Sequence, residues 1–142
     1  MTAAETTNNM FNTSEQSDIG NRSTEVLIVE DEPNVASLLS DYLQEQGYMV
    51  SVAKTVSMAR EGLYEMSPDI VFLDINLPDG LGLDLIPMLR NNHNCRIIAM
   101  SADEFYMHKA VHGKNRADVF LPKPFKVNYV RKTLEYLEQL QE

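Results

Sequence analysis

Short apolar runs rich in β-branched residues alternate with stretches of helical periodicity from residue 25 to the end of the chain. Runs of this length and composition are typical of buried strands. They cover residues 26–29, 48–53, 70–73, 96–100 and 119–121. Because right-handed helical crossovers make such strands parallel, the pattern predicts an α/β fold: a doubly wound, five-stranded parallel sheet with helices on both faces.

Each predicted strand is followed by residues whose apolar side chains recur at helical spacing. Pro33 suits the first turn of the first helix and Gly47 suits its end. Thr55 is a typical cap for the second helix. Pro87 lies inside the third helix, so it should bend this helix or displace its start. The predicted helical stretches cover residues 35–43, 56–63, 81–90, 103–112 and 127–140.

Charge and composition disfavour several classes of function for this chain. The chain has 142 residues and a formal net charge of -9. An acidic chain repels phosphate backbones, which disfavours nucleic acid as a partner. No apolar run approaches the roughly 20 residues of a membrane-spanning helix, and no secretory signal is visible. A cytoplasmic protein without a membrane partner is therefore expected.

Residues 1–24 are rich in Ser, Thr and Asn and have no apolar period, so we predict a disordered N-terminal tail followed by one domain, residues 25–142. Cys95 is the single cysteine of the chain, which excludes an internal disulfide framework and a thiolate metal cluster. The three histidines show no spacing that suggests a metal or phosphotransfer site and are expected at the surface: His93, His108 and His112.

Polar residues follow several of the predicted strands. They are Glu30, Asp31 and Glu32 after the first strand, Asp74 after the third, Ser101 after the fourth and Lys123 after the fifth. Because the carboxyl ends of parallel strands meet at one edge of a sheet, we expect these side chains to be neighbours. The first turn lacks the Gly-rich loop of a dinucleotide or P-loop site. Clustered carboxylates bind hard cations, so a Mg²⁺ site beside a phosphoryl group is predicted.

Four segments carry a more specific pattern: residues 26–33 (VLIVEDEP), 72–80 (FLDINLPDG), 100–102 (MSA) and 120–125 (FLPKPF). In their order and spacing they resemble the signatures of the receiver domain of two-component response regulators, of the stand-alone, chemotaxis-regulator-like type. The resemblance covers about residues 25–142. It implies a flavodoxin-like sheet with the strand order 2-1-3-4-5.

The resemblance assigns Asp74 as the phosphoacceptor, whose carboxylate would form an acyl phosphate. It implies that Asp31 and Asp74 bind Mg²⁺, or alternatively Mn²⁺, directly. Asn76 would contribute its backbone carbonyl, and Glu30 would bind through water. Family members often carry Asp at the position of Glu30, and a ligand acting through water should tolerate the longer side chain. Glu32 is expected to be a solvated acid at the start of the first helix.

Further roles follow from the same resemblance. Ser101 corresponds to the switch hydroxyl that binds a phosphoryl oxygen, and Lys123 corresponds to the lysine that pairs with another. The Lys123–Pro124 peptide bond is expected to be cis. Phe120 corresponds to the aromatic residue that rotates during switching. Three residues beside the phosphoryl site would tune its chemistry: Asn76, Ala102 and Asp103.

One segment departs from the family pattern. Most members have Gly before Ala-Asp, whereas this chain has Arg116. The turn after the fourth helix is therefore predicted to be rebuilt, with Gly113 or Asn115 in the left-handed conformation.

The sequence is thus interpreted as a single-domain response regulator that takes a phosphoryl group from a histidine kinase or a histidine phosphotransfer protein. It would signal through an unknown output protein at the face of the fourth helix, fifth strand and fifth helix, or by onward phosphorelay. It would be no enzyme beyond its own phosphorylation and dephosphorylation.

Two alternatives remain. One is a receiver-shaped interaction module without phosphotransfer. The other is a small aspartate-nucleophile phosphatase of the haloacid dehalogenase type. That family has Asp-x-Asp on its first strand, whereas this chain has Asp74-Ile75-Asn76 on its third.

Overall fold

The computed structural model describes residues 23–113 and 115–140. In chain order its elements are β1 (Glu25–Val29), α1 (Pro33–Glu45), β2 (Met49–Ala53), α2 (Val56–Gly62), β3 (Ile70–Asp74), β4 (Asn76–Leu77), β5 (Gly80–Leu81), α3 (Ile86–Asn92), β6 (Arg96–Ser101), α4 (Phe105–Val111), β7 (Val119–Pro122) and α5 (Val127–Leu140). A 3₁₀ turn, Gly82–Leu85, precedes α3. Most of the predicted tail, residues 1–22, lies outside the described residues.

Five parallel strands form the central sheet in the order β2-β1-β3-β6-β7. Because β4 and β5 form a separate two-stranded ribbon, β6 and β7 are the fourth and fifth strands of this sheet. The predicted order 2-1-3-4-5 is therefore confirmed. In the register of the sheet, Asp74 lies opposite Met100, and Ser101 lies opposite Pro122.

Helices cover both faces of the sheet. On one face, Ile28 and Phe72 belong to a core that also contains residues of α1 and α5. On the other face, Val71 and Ile97 belong to a core that contains residues of α2, α3 and α4. Strands buried on both faces need continuous apolar sequences, which explains the runs seen in β1, β3 and β6. Among the described residues, no helix combines the length and the apolar character that crossing a membrane requires.

The helices begin and end at residues whose chemistry favours helix termini. Pro33 occupies the first turn of α1, and Gly47 after its end has φ +94°. The Oγ1 of Thr55 accepts a hydrogen bond from the Met58 N–H at 3.0 Å, which caps α2. Pro87 lies in the first turn of α3, directly after the 3₁₀ turn. It therefore displaces the start of the α-helix, which is one of the two predicted effects.

The β4–β5 ribbon was not predicted. Residues from Leu81 onward, expected to begin the third helix, form strand β5 and the 3₁₀ turn instead. The carboxylate of Asp79, in the turn of the ribbon, accepts hydrogen bonds from the backbone N–H groups of Val56 at 2.8 Å and Ser57 at 3.0 Å. These bonds lower the pKa of Asp79. The ribbon is thereby tied to the start of α2.

The loop between α4 and β7 is fixed to neighbouring elements. Gly113 has φ +93°, in agreement with the predicted left-handed residue. The Arg90 guanidinium donates to the backbone carbonyl of Arg116 at 2.9 Å and pairs with Asp118 at 3.2 Å. Asp118 in turn accepts from the Ile97 N–H at 2.7 Å. These contacts join the loop to α3 and β6.

Gly82 packs directly against the backbone at the end of β3. Its N–H donates to the carbonyl oxygen of Ile75 at 2.7 Å. A Cβ atom at position 82 would overlap the carbonyl oxygen of Asp74. Glycine is therefore the residue that allows the chain after β5 to lie against Asp74.

We expect Gly82→Ala to lower the free energy of unfolding by about 2–4 kcal/mol, because the added methyl group must displace the main chain of Asp74. Urea denaturation followed by circular dichroism measures this loss. Gly62→Ala, at the end of α2, is the matched control, since its Cβ would meet no atom within 4 Å. The control should be neutral or slightly stabilising. Equal stabilities of the two variants would contradict the close approach at Gly82.

Candidate functional site

Three carboxylates meet at the carboxyl end of the sheet, between β1 and β3, where the strand order changes direction. Glu30 and Asp31 follow β1 and Asp74 ends β3, and one oxygen of each lies within 4.8 Å of the others. Glu30 and Asp74 are buried, and Asp31 is partly exposed. Closely packed carboxylates repel one another and provide the hard oxygen ligands that Mg²⁺ and Mn²⁺ prefer. These residues fit a divalent cation site.

Lys123 reaches the cluster from the end of β7. Its Nζ lies 2.8 Å from Glu30 Oε1, 3.0 Å from Glu32 Oε1 and 3.4 Å from Asp74 Oδ2. Burial alone would lower the pKa of Lys123, but hydrogen bonds to Glu30 and Glu32 and the charge of Asp74 outweigh it and raise this pKa. Glu32 is exposed, as expected, yet its bond to Lys123 was not predicted. The Lys123–Pro124 peptide bond is cis.

Asp74 has a perturbed carboxyl group. Burial, followed by the negative charge of Glu30, raises the pKa of Asp74 to about 7, against the opposing effects of Lys123 and of the Asn76 N–H. That N–H donates to Asp74 Oδ1 at 3.3 Å. Positive charge placed among these carboxylates would favour the ionised form, in which a carboxylate can act as a nucleophile.

Ser101 is buried at the end of β6, and its hydroxyl joins two other predicted site residues. Its Oγ donates to Asn76 Oδ1 at 3.0 Å and accepts from the Asp103 N–H at 3.0 Å. Asp103 Oδ1 accepts from the Phe105 N–H at 3.0 Å, at the start of α4. We call these four residues the serine network. The contact between the Ser101 and Asn76 side chains was not predicted, because no sequence spacing signals it.

Phe120 and Ala102 lie beside the serine network. Phe120 pairs with Ala99 in the sheet, is partly buried and packs against the core that α4 helps to cover. Ala102 is exposed. Both residues line a groove between β7 and the start of α4, together with Phe105, whose side chain is 71% exposed. The groove provides space in which an aromatic ring can change its position.

A protein-family model described as the response regulator receiver domain matches residues 26–135. The chain is 36% identical over 105 residues to the uncharacterized transcriptional regulatory protein YvcP of Bacillus subtilis (strain 168). It is 31% identical over 101 residues to the DNA-binding response regulator MtrA of Mycolicibacterium smegmatis (strain ATCC 700084 / mc(2)155). These alignments cover 74% and 71% of this chain but 44% of each relative, so the chain spans less than half the length of these curated relatives.

A solved structure agrees with the sequence comparison. The fold is similar to the receiver domain of the TMAO respiratory system response regulator TorR, with a TM-score of 0.72 and 31% sequence identity. The superposition covers 84% of this chain and 99% of that domain.

Without divalent cations, Asp74→Asn should raise the free energy of unfolding at about pH 8 by on the order of 2 kcal/mol, because it removes a buried charge from a repelling cluster. The pKa of Asp74 in the folded state, about 7, lies above its ordinary value of 3.8. The folded wild type therefore binds more protons than the unfolded chain between these values, and its stability falls as the pH rises through them. The gain in the variant should be less than about half as large at pH 5, because only part of this pH range has then been crossed.

Urea denaturation in a chelator at the two pH values measures this difference. Asp84→Asn, which neutralises an exposed acid outside the cluster, should change stability little at either pH. Added Mg²⁺ should stabilise the wild type and Asp84→Asn much more than Asp74→Asn. An effect of Asp74→Asn that does not depend on pH would contradict the raised pKa.

Proposed function

Because the chain belongs to the response regulator receiver domain family, we propose that it accepts a phosphoryl group on Asp74 from a phosphohistidine of a histidine kinase or a histidine phosphotransfer protein. One observation carries this proposal: Asp74 is buried with Glu30 and Asp31 beside it and with the ammonium group of Lys123 3.4 Å away. The arrangement combines a nucleophilic carboxylate, cation ligands and a fixed positive charge. Receiver domains are signalling modules, and we propose no further catalytic activity.

In the transfer, an Asp74 carboxylate oxygen would bond to phosphorus as the N–P bond of phosphohistidine breaks. The electron pair would leave with the imidazole, which solvent can protonate. Lys123 would pair with a phosphoryl oxygen. Asp31 and Asp74, with the Asn76 carbonyl and with Glu30 acting through water, would hold Mg²⁺ or Mn²⁺, which supplies positive charge for the phosphoryl oxygens when bound.

Lys123 must exchange partners in this reaction. Its ammonium group contacts both Glu30 and Glu32. The carboxylate of Glu32 is exposed, so its contact with Lys123 is the weaker one, because solvent screens it. We propose that a phosphoryl oxygen replaces Glu32 at Lys123, while the buried contact with Glu30 keeps the ammonium group aimed at the site.

The serine network suggests how phosphorylation of Asp74 would change the structure outside the acidic cluster. For Ser101 to donate to a phosphoryl oxygen, its hydroxyl must release Asn76. The same Oγ accepts from Asp103, which in turn holds the first N–H of α4. Rotation of Ser101 would therefore shift the start of α4, over the core where Phe120 packs. We propose that this shifts the population of the α4, β7 and α5 face, where an output protein would bind.

A protein and a nucleic acid are both compatible as output partners of the whole protein. The relatives are named as transcriptional or DNA-binding regulators, and the chain spans less than half of their length. The acidic charge of this segment thus gives no ground for excluding nucleic acid as a partner of the whole protein. We propose that the receiver domain signals in the cytoplasm, through a protein partner or by onward phosphorelay.

Incubation with Mg²⁺ and a small acyl phosphate should add one phosphoryl group to the wild type, as seen by intact-protein mass spectrometry. Asp74→Asn should carry no adduct, and Asp84→Asn should be labelled like the wild type. Lys123→Ala should be labelled at least about 10-fold more slowly, because the phosphoryl charge loses a positive partner. An unlabelled wild type, under conditions where a known receiver domain is labelled, would contradict the proposed function.

We also propose that Asn76 and Asp103 together support fairly rapid self-dephosphorylation, since an amide and a carboxylate beside the phosphoryl group can position and activate water. A variant with both Asn76→Ala and Asp103→Ala should lose its phosphoryl group several-fold more slowly than the wild type. Asn92→Ala, at the exposed end of α3, is a matched control for loss of an amide. The decay of the adduct over time measures each rate, and slower loss in the wild type would refute the idea.

A further inference from the structure

Two histidines outside the acidic cluster lie side by side at the end of α4. The ring centroids of His108 and His112 are 4.2 Å apart, and the ring planes are tilted by 31°. Both residues are exposed. The spacing of four residues, which was not expected to indicate a metal site, thus brings two imidazole rings together. Residues four apart lie on one face of a helix, and here both rings reach the same point of that face.

The backbone sets the position of this pair. His108 lies within α4, and His112 is the first residue after it, with φ -123° and ψ 163°. The His112 N–H donates to the carbonyl oxygen of His108 at 3.0 Å, which fixes the separation of the two residues. Gly113 then turns the chain, with φ +93°. The approach of the two rings therefore follows from the way in which α4 ends.

We propose that His108 and His112 form a two-ligand site for a divalent transition-metal ion of the class of Zn²⁺, Ni²⁺ and Cu²⁺. Neutral imidazole nitrogens are preferred ligands of these ions. Two nitrogens bound to one tetrahedral ion are about 3.3 Å apart, given bond lengths of about 2.0–2.1 Å. Small rotations of the side chains would convert the stacked rings into this arrangement. Both rings are open to solvent, so water would complete the coordination.

The histidine pair is chemically distinct from the acidic cluster. Mg²⁺ takes oxygen ligands, so it can fill the acidic cluster without competing for the imidazoles. Two protein ligands, with the positive charge of Lys109 next to His108 in the chain, limit the expected affinity to about the micromolar range. The proposal stands apart from phosphorylation, since it uses neither Asp74 nor Lys123.

The ion would bind at the end of a short helix, α4. α4 has seven residues, and its buried residue among those described is Ala110. A helix of two turns is marginal without support from packing or ligands. An ion held by the last turn of α4 and by the residue after it would stabilise the end of this helix, two turns from the serine network.

Isothermal titration calorimetry of the full chain with ZnCl₂ and with NiCl₂, in saturating Mg²⁺, tests the site. The wild type should bind one equivalent of each ion at the histidine pair. His108→Gln and His112→Gln should each weaken binding at least about 10-fold, because one of two ligands is lost. His93→Gln, at the end of α3, is the matched control and should bind like the wild type. In NMR spectra, Ni²⁺ should broaden the ring signals of His108 and His112 and spare those of His93.

Circular dichroism and Mg²⁺ titration of His108→Gln and His112→Gln should match the wild type, since both substituted rings are exposed. The proposal is overturned if the wild type binds neither ion more tightly than about 100 µM. It is also overturned if the His108→Gln and His112→Gln variants both retain wild-type affinity, or if His93→Gln alone loses binding.

Discussion

The ammonium group of Lys123 allows carboxylates to be buried together at the end of the sheet. A buried carboxylate without a partner is penalised by several kcal/mol, and Glu30 is fully buried with Lys123 Nζ 2.8 Å away. Asp74 shares the same ammonium group at 3.4 Å, and its pKa remains raised. One positive charge thus stabilises the fold of the site but leaves an excess of negative charge. That excess is what makes these residues fit a divalent cation site.

Most of the fold was predictable because its elements carry local signals. Strands β1, β3 and β6 are visible in the sequence as apolar runs, because helices cover both faces of the sheet. Pro33, Gly47 and Thr55 mark helix ends through their own backbone or side-chain chemistry. The β4–β5 ribbon has no such signal, because strands of two residues are too short to show alternation. Its position depends on tertiary contacts, those of Asp79 with the start of α2 and of Gly82 with Ile75.

The sequence predicted which residues lie at the site but not which of their side chains contact one another. Parallel topology alone places the acids, the serine and the lysine at one edge. The bond between Glu32 and Lys123 joins residues 91 positions apart and depends on the path of two loops. The His108–His112 pair, in contrast, has a spacing visible in the sequence. It was missed because His112 stands where the helix ends, and its ring position depends on that ending.

Gly82 gives the site a fixed wall. On the side of the β4–β5 ribbon, not even a methyl group fits between the chain and the Asp74 carbonyl. Residues 102–104, in contrast, are exposed and border an open groove. The main chain of Asp74 therefore has no free space towards Gly82, whereas the segment that follows Ser101 adjoins solvent. If Asp74 is phosphorylated as proposed, residues 102–104 can move without displacing packed backbone, and the main chain at Gly82 cannot.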